Sequence, residues 1–588
     1  MSVLRPHHAG QQSELSQALS ACRLAFVGIG VFSGVTNILM LTGSFYMLEV
    51  YDRVLPSRSV PTLVGLSIIA ATLFLFLGIV DLIRGRVLVR VGASLDQALS
   101  GRVFDAVVRY PLKAGIRSDG LQSLRDLDNV RTFLSGSGPL ALFDLPFMPL
   151  YLGICFLFHF WIGVTALVGA LILVSLTLLT EYLTREPAKT ATGFAITRNG
   201  LAEASRRNAE VLAAMGMGKR MHQRWSEAND KYLASQQQAS DVTGGLGSIV
   251  KILRMMLQSA LLGVGGYLVV RQEATAGIII AGSILGARAL APVDLAIANW
   301  RGFVAARQSW ERLNKLLTLL PPVAEPMTLP APTATLAVEN VSGAPPGVQK
   351  LVVQDVHFSL KAGSGVGIIG PSASGKSSLA RLLVGVWQPL RGKVTLDGAS
   401  LDQWGATGKH IGYLPQDVEL FAGTVAENIA RFEADARSED ILAAAEAAGV
   451  HEMILKLPAG YDTDVGEQGT ALSAGQQQRI ALARALYGDP FLVVLDEPNS
   501  NLDADGEIAL TRAVQGVRNR GGIVVVVAHR PTAIAAVDFI LVMNQGRAQA
   551  FGPKDDVLAK VLRRDAGAPG ALKVVSDKPV QQNERIAP

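Results

Sequence analysis

The sequence predicts two parts of different fold class: an all-α region of six membrane-spanning helices, followed by an α/β domain. At 588 residues the chain is too long for one hydrophobic core. Its mean hydropathy of +0.32, with 18% charged residues, is too high for an ordinary soluble protein. In the second half, a glycine-rich loop follows a short apolar run. Part of the chain therefore lies in lipid, and the rest forms a water-facing domain.

Long charge-free runs predict the membrane spans. Residues 24–48 and 59–80 carry no charged side chain, and each run exceeds the roughly 20 residues that cross the hydrocarbon core. The first run is too long for the apolar core of a cleaved signal peptide. Residues 145–180 suffice for two spans, with an interfacial turn at His159 to Gly163. The predicted spans are 24–48, 59–80, 143–160, 162–180, 253–270 and 274–296.

The positive residues predict the orientation of these spans. Lys and Arg near span ends stay in the cytoplasm, and here they follow the second and fourth spans, as at Arg84 and Arg185. We therefore expect a multi-pass protein of the inner membrane, with both termini and the α/β domain in the cytoplasm. Helical periodicity in 81–144 and 181–254 predicts long cytoplasmic extensions of the helices, although it is equally typical of a helix packed on its neighbour.

Composition sets the predicted domain bounds. Five prolines between Leu320 and Thr335 cannot continue a helix and favour an extended linker. A formal net charge of +5 does not indicate nucleic acid binding, because clustered Lys and Arg with interleaved aromatics are absent. Cys22 and Cys155 have no disulfide or zinc spacing and are expected in the core. The predicted parts are a cytoplasmic segment 1–23, a membrane domain 24–318, a linker 319–335, an α/β domain 336–564 and a disordered tail 565–588.

The second half of the sequence contains a phosphate-binding loop. The motif GPSASGKS follows an apolar strand and precedes a predicted helix, which is the context that such a loop requires. Lys376 supplies a positive charge to the outer phosphates, and the Ser377 hydroxyl is a magnesium ligand. The predicted nucleotide-binding residues here are Gly370, Pro371, Ser372, Ala373, Ser374, Gly375, Lys376, Ser377 and Ser378.

An acidic pair ends a second buried strand. Leu492 to Leu495 are apolar, and Asp496 and Glu497 follow them. We expect Asp496 to hold magnesium through water and Glu497 to polarise the attacking water as general base. An acidic pair at a strand end is weak evidence by itself, so the assignment depends on the motifs around it.

The remaining motifs resemble those of the ABC ATPase superfamily. The run from Leu472 to Gln476 resembles the ABC signature, and TDVGEQG from Thr463 to Gly469 resembles a loop of the exporters. Gln416 resembles the Q-loop glutamine, Asp503 the D-loop aspartate and His529 the switch histidine. The chain is thus similar to an ABC exporter half-transporter, with a six-helix transmembrane domain and an α/β P-loop NTPase. The signature residues are Leu472, Ser473, Ala474, Gly475 and Gln476.

The resemblance implies a homodimer that binds ATP and Mg²⁺. Each ATP would lie between the phosphate loop of one copy and the signature of the other, with Ser473 and Gly475 at the γ-phosphate. The catalytic residues implied are Lys376, Gln416, Glu497 and His529, and the metal ligands are Ser377, Gln416 and Asp496.

The sequence departs from the family pattern in two places. Ala474 replaces the first signature glycine, which implies a weaker closed dimer with activity retained. The aromatic residue that stacks on adenine is missing, because Leu336 to Lys350 contains none. We therefore expect ATP to be held mostly through its phosphates.

Several stretches resemble type I secretion permease/ATPases, and RRNAEVLAAMGM from Arg206 and HIGYLPQDVELFAGTVAENIARF from His410 resemble their protease and haemophore branch. FYMLEVYDRVLPSRSVPTL, from Phe45 to Leu63, is similar to their first external loop, and FDLPFMPLYL from Phe143 matches a further segment. That family exports unfolded polypeptides with a periplasmic adaptor and an outer-membrane channel. Two alternatives stay open: a lipid or drug flippase, and a degenerate ATPase acting as a regulator, against which the intact Lys376, Glu497 and His529 argue.

Two further expectations concern the transport pathway. Arg288 lies within the sixth span, where it either faces the translocation chamber or snorkels to the inner headgroups. About 23 residues precede the first span, fewer than the roughly 50 of a typical domain, so a leader peptidase is not expected there. We therefore expect cargo with an uncleaved C-terminal signal.

Overall fold

The computed structural model describes residues 13–115, 121–322, 329–404 and 407–565. The chain divides into two compact units, one of residues 1–111 and 116–322, the other of residues 112–115 and 323–588. The predicted tail 565–588 lies outside the described residues apart from Asp565, and so does the middle of the predicted linker.

Six helices of the described chain are long and apolar enough to cross a membrane, as predicted. They comprise Arg23–Ser57, Val60–Ala114, Gly138–Phe158, Phe160–Arg207, Gly218–Val270 and Ala276–Ala298. The second has 55 residues, about 80 Å at ~1.5 Å per residue, far more than the ~30 Å hydrocarbon core. The predicted helical extensions therefore exist as continuations of the spanning helices.

Two of the spans contain interruptions. The first consists of Arg23–Leu39, Thr42–Glu49, a π-helix at Val50–Val54 and a last turn at Leu55–Ser57. The third consists of Gly138–Asp144, a 3₁₀ turn at Leu145–Phe147 and Met148–Phe158. The remaining helices of this unit are Glu14–Ala21, Gln122–Ser135, Ala209–Ala214 and Trp300–Leu319.

The predicted turn between the third and fourth spans is the single residue His159. Its backbone is extended, and its Nδ1 accepts a hydrogen bond from the Trp161 N–H at 3.3 Å, which caps the next helix. That helix begins at Phe160, two residues before the predicted start of the span. Phe160 and Trp161 are exposed, as expected for aromatic anchors.

The stretch from Phe45 to Leu63, which resembles the first external loop of the family, is mostly helical. The chain stays helical to Ser57, and only Arg58, with φ +51°, and Ser59 separate the first two spanning helices. The polar residues of this stretch have partners that a sequence cannot show. The Asp52 carboxylate accepts hydrogen bonds from the Thr275 hydroxyl at 2.6 Å and the Gly277 N–H at 2.9 Å. Asp52 thus caps the helix Ala276–Ala298, whose first N–H groups lack helical partners.

Arg84 is a buried residue and not a free surface cation. Its guanidinium donates to Asp144 at 2.9 Å, to Asp81 at 2.9 Å and to the Ser33 hydroxyl at 3.1 Å. The Asn37 amide also donates to Asp144, at 3.0 Å. This polar cluster joins the first three spanning helices.

The helical extensions pack around an apolar core. Leu95, Leu99 and Val103 are buried against residues such as Leu313, so their periodicity reflects packing of one helix on another. A bidentate pair supports this core: Arg312 donates to both carboxylate oxygens of Asp126, at 2.8 and 2.6 Å. That hydrogen bonding raises the pKa of Arg312, and Asp126 is almost fully buried.

The second unit contains two sheets. A six-stranded sheet has the order β10-β9-β3-β8-β7-β6, parallel except for β10, and a four-stranded antiparallel sheet has the order β2-β1-β4-β5. The strands are β1 Thr335–Gly343, β2 Val353–Lys361, β3 Gly365–Ile369, β4 Arg391–Leu396, β5 Ala399–Ser400, β6 Ile411–Leu414, β7 Leu492–Asp496, β8 Ile523–Val527, β9 Phe539–Asn544 and β10 Arg547–Pro553.

Short helices cover the parallel sheet, which is therefore buried on both faces. Every residue of β7 and β8 is buried, in keeping with their continuous apolar sequences. The α-helices of this unit are Lys376–Leu383, Thr407–His410, Val425–Ile429, Ser438–Ala447, His451–Leu455, Ala474–Leu486, Ala504–Asn519 and Lys554–Asp565. The carboxyl ends of β3, β7 and β8 lie at one edge of the sheet, where ligands bind in open α/β folds.

Candidate active site

The phosphate loop runs from the end of β3 to the helix Lys376–Leu383. Gly370 has φ +150°, and a Cβ there would lie 2.1 Å from the Met543 carbonyl oxygen. Gly375 has φ +95°, and its Cβ would lie 2.6 Å from the Val352 oxygen. Both glycines are therefore required by close backbone approach, and the loop leads into a helix N-terminus suited to phosphate.

Lys376 lies across its own loop. Its side chain is buried, and its Nζ donates to the carbonyl oxygens of Gly370 at 3.0 Å and Pro371 at 2.9 Å. Burial lowers the pKa of this ammonium, while the charges of Glu497 and Asp496 act in the opposite direction. The ammonium is thus held at the mouth of the loop, where an incoming phosphate can replace the carbonyl oxygens.

Ser377 and Asp496, both predicted metal ligands, are in contact. The Ser377 hydroxyl donates to Asp496 Oδ1 at 3.1 Å, and the fully buried Oδ2 of Asp496 has no hydrogen-bond partner among the described residues. Burial raises the pKa of Asp496, with the Ser377 hydrogen bond acting against it and the Glu497 charge adding to it. A hydroxyl beside an unpartnered carboxylate oxygen is the hard oxygen set that Mg²⁺ takes, so the residues present fit that ion.

Glu497 and His529 come from different strands and are in contact. The His529 Nε2 lies 3.0 Å from Glu497 Oε1. The backbone at Glu497 has φ +50°, an uncommon value for a non-glycine residue, and its N–H donates to the Val527 carbonyl at 3.0 Å. This arrangement holds a carboxylate beside an imidazole at the sheet edge that carries Asp496, which is suited to activating a water molecule.

Gln416 lies at the same edge with its side chain exposed. It follows β6, the neighbour of β7, by two residues, and it makes no hydrogen bond within the described chain. The structure therefore places the predicted Q-loop glutamine after the strand that pairs with β7, with no partner for its amide among the described residues.

The signature forms the start of the helix Ala474–Leu486. Ser473 caps it: the Gln476 N–H donates to Ser473 Oγ at 3.3 Å, and the Ser473 N–H donates to Gln476 Oε1 at 2.9 Å. A Cβ at Gly475 would lie 2.9 Å from the Asn501 carbonyl oxygen, so this glycine is needed for packing. Leu472 is buried, while Ala474 is exposed.

The signature and the phosphate loop are not joined within one chain. No hydrogen bond among the described residues links Leu472–Gln476 to Gly370–Ser378. The signature residues instead contact their own helix and Asn501.

Gln478 is a site residue that the sequence analysis missed. It is buried, its amide donates to the Pro498 carbonyl at 2.6 Å, and its Oε1 accepts from the Asn501 N–H at 3.0 Å. These bonds join the signature helix to the residues that follow Glu497. Helical periodicity could have identified it, because Gln478 shares a buried face with Ala481 and Ala485.

Asp503, predicted to contact nucleotide, has structural partners within the chain. Its carboxylate accepts from the Gly506 N–H at 2.9 Å and caps the helix Ala504–Asn519. It also pairs with Arg479 of the signature helix. The Gly506 hydrogen bond and then the Arg479 contact lower the pKa of Asp503.

Known proteins share this architecture. The family "ABC transporter transmembrane region" matches residues 26–287, and the family "ABC transporter" matches residues 353–500. The structure of a bacterial Atm1-family ABC exporter with ATP bound is similar over 94% of this chain and 100% of its own, with a TM-score of 0.77 and 24% identity, which shows the shared fold. Six spanning helices followed by the ordered ATPase motifs define an ABC exporter with fused membrane and ATPase domains, as predicted.

Relatives that align over most of the chain show which family of ABC exporters it belongs to. The type I secretion system ATP-binding protein PrsD of Rhizobium meliloti is 59% identical over 571 residues, which are 97% of this chain and 98% of that protein. The cyclolysin secretion/processing protein CyaB of Bordetella pertussis is 29% identical over 530 residues, 89% of this chain and 74% of its own. This chain belongs to the type I secretion system ATP-binding proteins, and it is a multi-pass membrane protein whose ATPase is coupled to transport.

Proposed function

We propose that the chain acts as a homodimer in the inner membrane, with its ATPase domains in the cytoplasm, and exports unfolded polypeptides that carry a C-terminal signal. A periplasmic adaptor and an outer-membrane channel would complete the route. The observation that carries this proposal is the 59% identity to a type I secretion protein over nearly the whole of both chains. The dimer is implied by the family resemblance, in which the signature of one copy faces the phosphate loop of the other.

The geometry supports a distinct role for each group of residues around the nucleotide. Lys376 would exchange its two loop carbonyls for phosphate oxygens, and residues Gly370 to Ser378 would surround the phosphates with backbone N–H groups. Ser377 and Asp496, with Gln416, would hold Mg²⁺, which supplies charge neutralisation for the triphosphate when bound. Ser473, Gly475 and Asp503 of the partner copy would complete the pocket.

Hydrolysis would proceed at Glu497. Its carboxylate accepts a proton from water as the water oxygen bonds to the γ-phosphorus and the bond to the bridging oxygen breaks, giving ADP and phosphate. His529, 3.0 Å from Glu497 Oε1, orients that carboxylate and can donate to the γ-phosphate. Release of the products reopens the dimer and resets transport.

Secretion of a reporter tests the proposal. Cells that carry the exporter, the adaptor and the outer channel receive an unfolded reporter fused to the last ~60 residues of a candidate cargo, on the order of one small module. We expect the fusion in the medium with the wild-type exporter and not with Glu497→Gln. Equal secretion of a reporter without the C-terminal segment would contradict the proposed signal. Lipid flipping by the purified protein, with no secretion of the fusion, would contradict protein export.

A further inference from the structure

The turn that follows β7, residues 497–501, carries Glu497 in an uncommon backbone conformation. Glu497 has φ +50°, a value that residues other than glycine rarely adopt. Its N–H donates to the Val527 carbonyl at 3.0 Å, and its carbonyl accepts from the Ser500 N–H at 3.2 Å. Such a conformation persists only where the surrounding structure holds it. The direction of the Glu497 side chain therefore depends on what else fixes this turn.

Gln478 supplies three further hydrogen bonds to the turn. Its Nε2 donates to the Pro498 carbonyl at 2.6 Å and to the Glu497 carbonyl at 3.3 Å. Its Oε1 accepts from the Asn501 N–H at 3.0 Å. In the part of the chain that the structure describes, neither the Pro498 carbonyl nor the Asn501 N–H has another hydrogen-bond partner. One side chain thus satisfies backbone groups at both ends of the segment that follows the base.

The Gln478 side chain is itself held in place. It is 2% exposed and belongs to the buried face of the helix Ala474–Leu486. The next residue of that helix, Arg479, pairs with Asp503 just beyond the turn. A side chain packed in the interior has little freedom to move, so Gln478 fixes the turn relative to the signature helix.

We propose that Gln478 is a positioning residue for ATP hydrolysis, which acts through the backbone of residues 497–501 to aim the Glu497 carboxylate at the attacking water. The inference rests on the proposed role of Glu497 as general base. Gln478 contacts the turn and takes no part in holding nucleotide. A displacement of a reacting group by about 1 Å costs about 10²-fold in rate, so the loss of Gln478 should appear in kcat.

Gln478→Met tests this role, because it removes the three hydrogen bonds and keeps an unbranched side chain of similar length. We expect the kcat of ATP hydrolysis by the purified full-length protein to fall about 10- to 100-fold, with ATP affinity within about threefold of wild type. The matched control Gln515→Met, at an exposed position of the helix Ala504–Asn519, should keep wild-type kcat. A kcat within about threefold of wild type in Gln478→Met would overturn the proposal.

A double-mutant cycle shows whether Gln478 acts through Glu497. In the Glu497→Gln background the carboxylate that Gln478 aims is absent, so Gln478→Met should lower the residual single-turnover rate by less than about threefold. A merely structural role would cost the same factor in both backgrounds, and that result would overturn the proposal. Undiminished hydrolysis by Glu497→Gln alone is a separate outcome, which would contradict the general base on which the inference rests.

Gln478→Glu is a second variant with its own measurement. Its ionised carboxylate can accept from the Asn501 N–H but cannot donate to the Pro498 carbonyl, whereas the protonated form regains a donor. The ratio of its kcat to that of wild type should therefore rise as the pH is lowered from about 8.5 to about 6, since burial raises the pKa of a carboxyl group. The corresponding ratio for Gln478→Met should not change with pH.

The second variant also decides the question if Gln478→Met does not fold. A kcat ratio for Gln478→Glu that is independent of pH would overturn the proposal. Failure of both variants to fold would show that Gln478 is needed for the structure of the domain and would overturn a specific role in positioning Glu497.

Discussion

Replacing Glu497 with Gln should remove the general base while leaving the site assembled. The Gln amide oxygen can still accept a hydrogen bond from His529, whose Nε2 lies 3.0 Å from Glu497 Oε1. The backbone N–H of residue 497 still donates to the Val527 carbonyl, so the left-handed turn after β7 keeps its support. The phosphate contacts of Lys376 and the loop are unaffected. The substitution therefore impairs proton transfer and leaves the ATP contacts in place.

The expected fall in kcat follows from the loss of the general base alone. General-base catalysis contributes about 10²- to 10⁴-fold, so the kcat of ATP hydrolysis should fall by that factor. The affinity for ATP should stay within about threefold, because the lost group acts in the transition state and adds little to ground-state binding. The assay measures phosphate release and, separately, nucleotide binding by the purified full-length protein.

A matched control separates chemistry from a general effect of removing a carboxylate. Glu446 is exposed on the helix Ser438–Ala447, and Glu446→Gln should keep wild-type turnover. Hydrolysis by Glu497→Gln at a rate within about threefold of wild type, with ATP bound normally, would refute the assignment of Glu497 as base. A loss of ATP binding in the same variant would show instead that Glu497 is needed to assemble the site.

Three further substitutions have distinct expected results. Lys376→Ala should weaken ATP binding about 10- to 100-fold in a fluorescence titration, because a buried charge-assisted donor is lost; unchanged affinity would contradict its phosphate role. Arg84→Leu should lower the midpoint of heat denaturation, since it leaves Asp144 buried without its cation at a cost of about 3 kcal/mol, whereas Arg53→Leu, 72% exposed, should not. Arg288→Leu should reduce cargo-stimulated ATPase and export while basal ATPase persists, and Arg288→Lys should retain both. Wild-type levels of both in Arg288→Leu would exclude a chamber role.

The Arg288 side chain is exposed on the helix Ala276–Ala298. The residue lies 12 positions into the helix Ala276–Ala298, about 18 Å from its start at ~1.5 Å per residue. Its guanidinium is exposed, and Nη1 lies 3.9 Å from the Met40 sulfur, beside the interruption in the first spanning helix. The Met40 sulfur is a weak hydrogen-bond acceptor, so it satisfies little of the hydrogen-bonding capacity of the guanidinium.

Local patterns in the sequence were sufficient for the architecture. Charge-free runs predict spans because the bilayer imposes a length and excludes charge, and this holds for any tertiary arrangement. The phosphate loop and the buried strand before Asp496 are likewise recognisable because their chemistry depends on residues adjacent in the chain. The six spanning helices, the α/β ATPase domain and the family were therefore predictable from the sequence.

Contacts between distant residues were decided by the tertiary structure alone. Asp52 lies in the helical stretch Val50–Val54, and its carboxylate accepts from the Gly277 N–H, more than 200 residues away, which is a partner that the sequence does not show. Arg84 counted as a cytoplasmic cation by its position, yet it is buried against Asp144. Gln478, in a run of three glutamines, became the link between the signature helix and the residues after Glu497. In each case the sequence displays the polar group, but its partner depends on how helices and strands pack, and no local pattern encodes that packing.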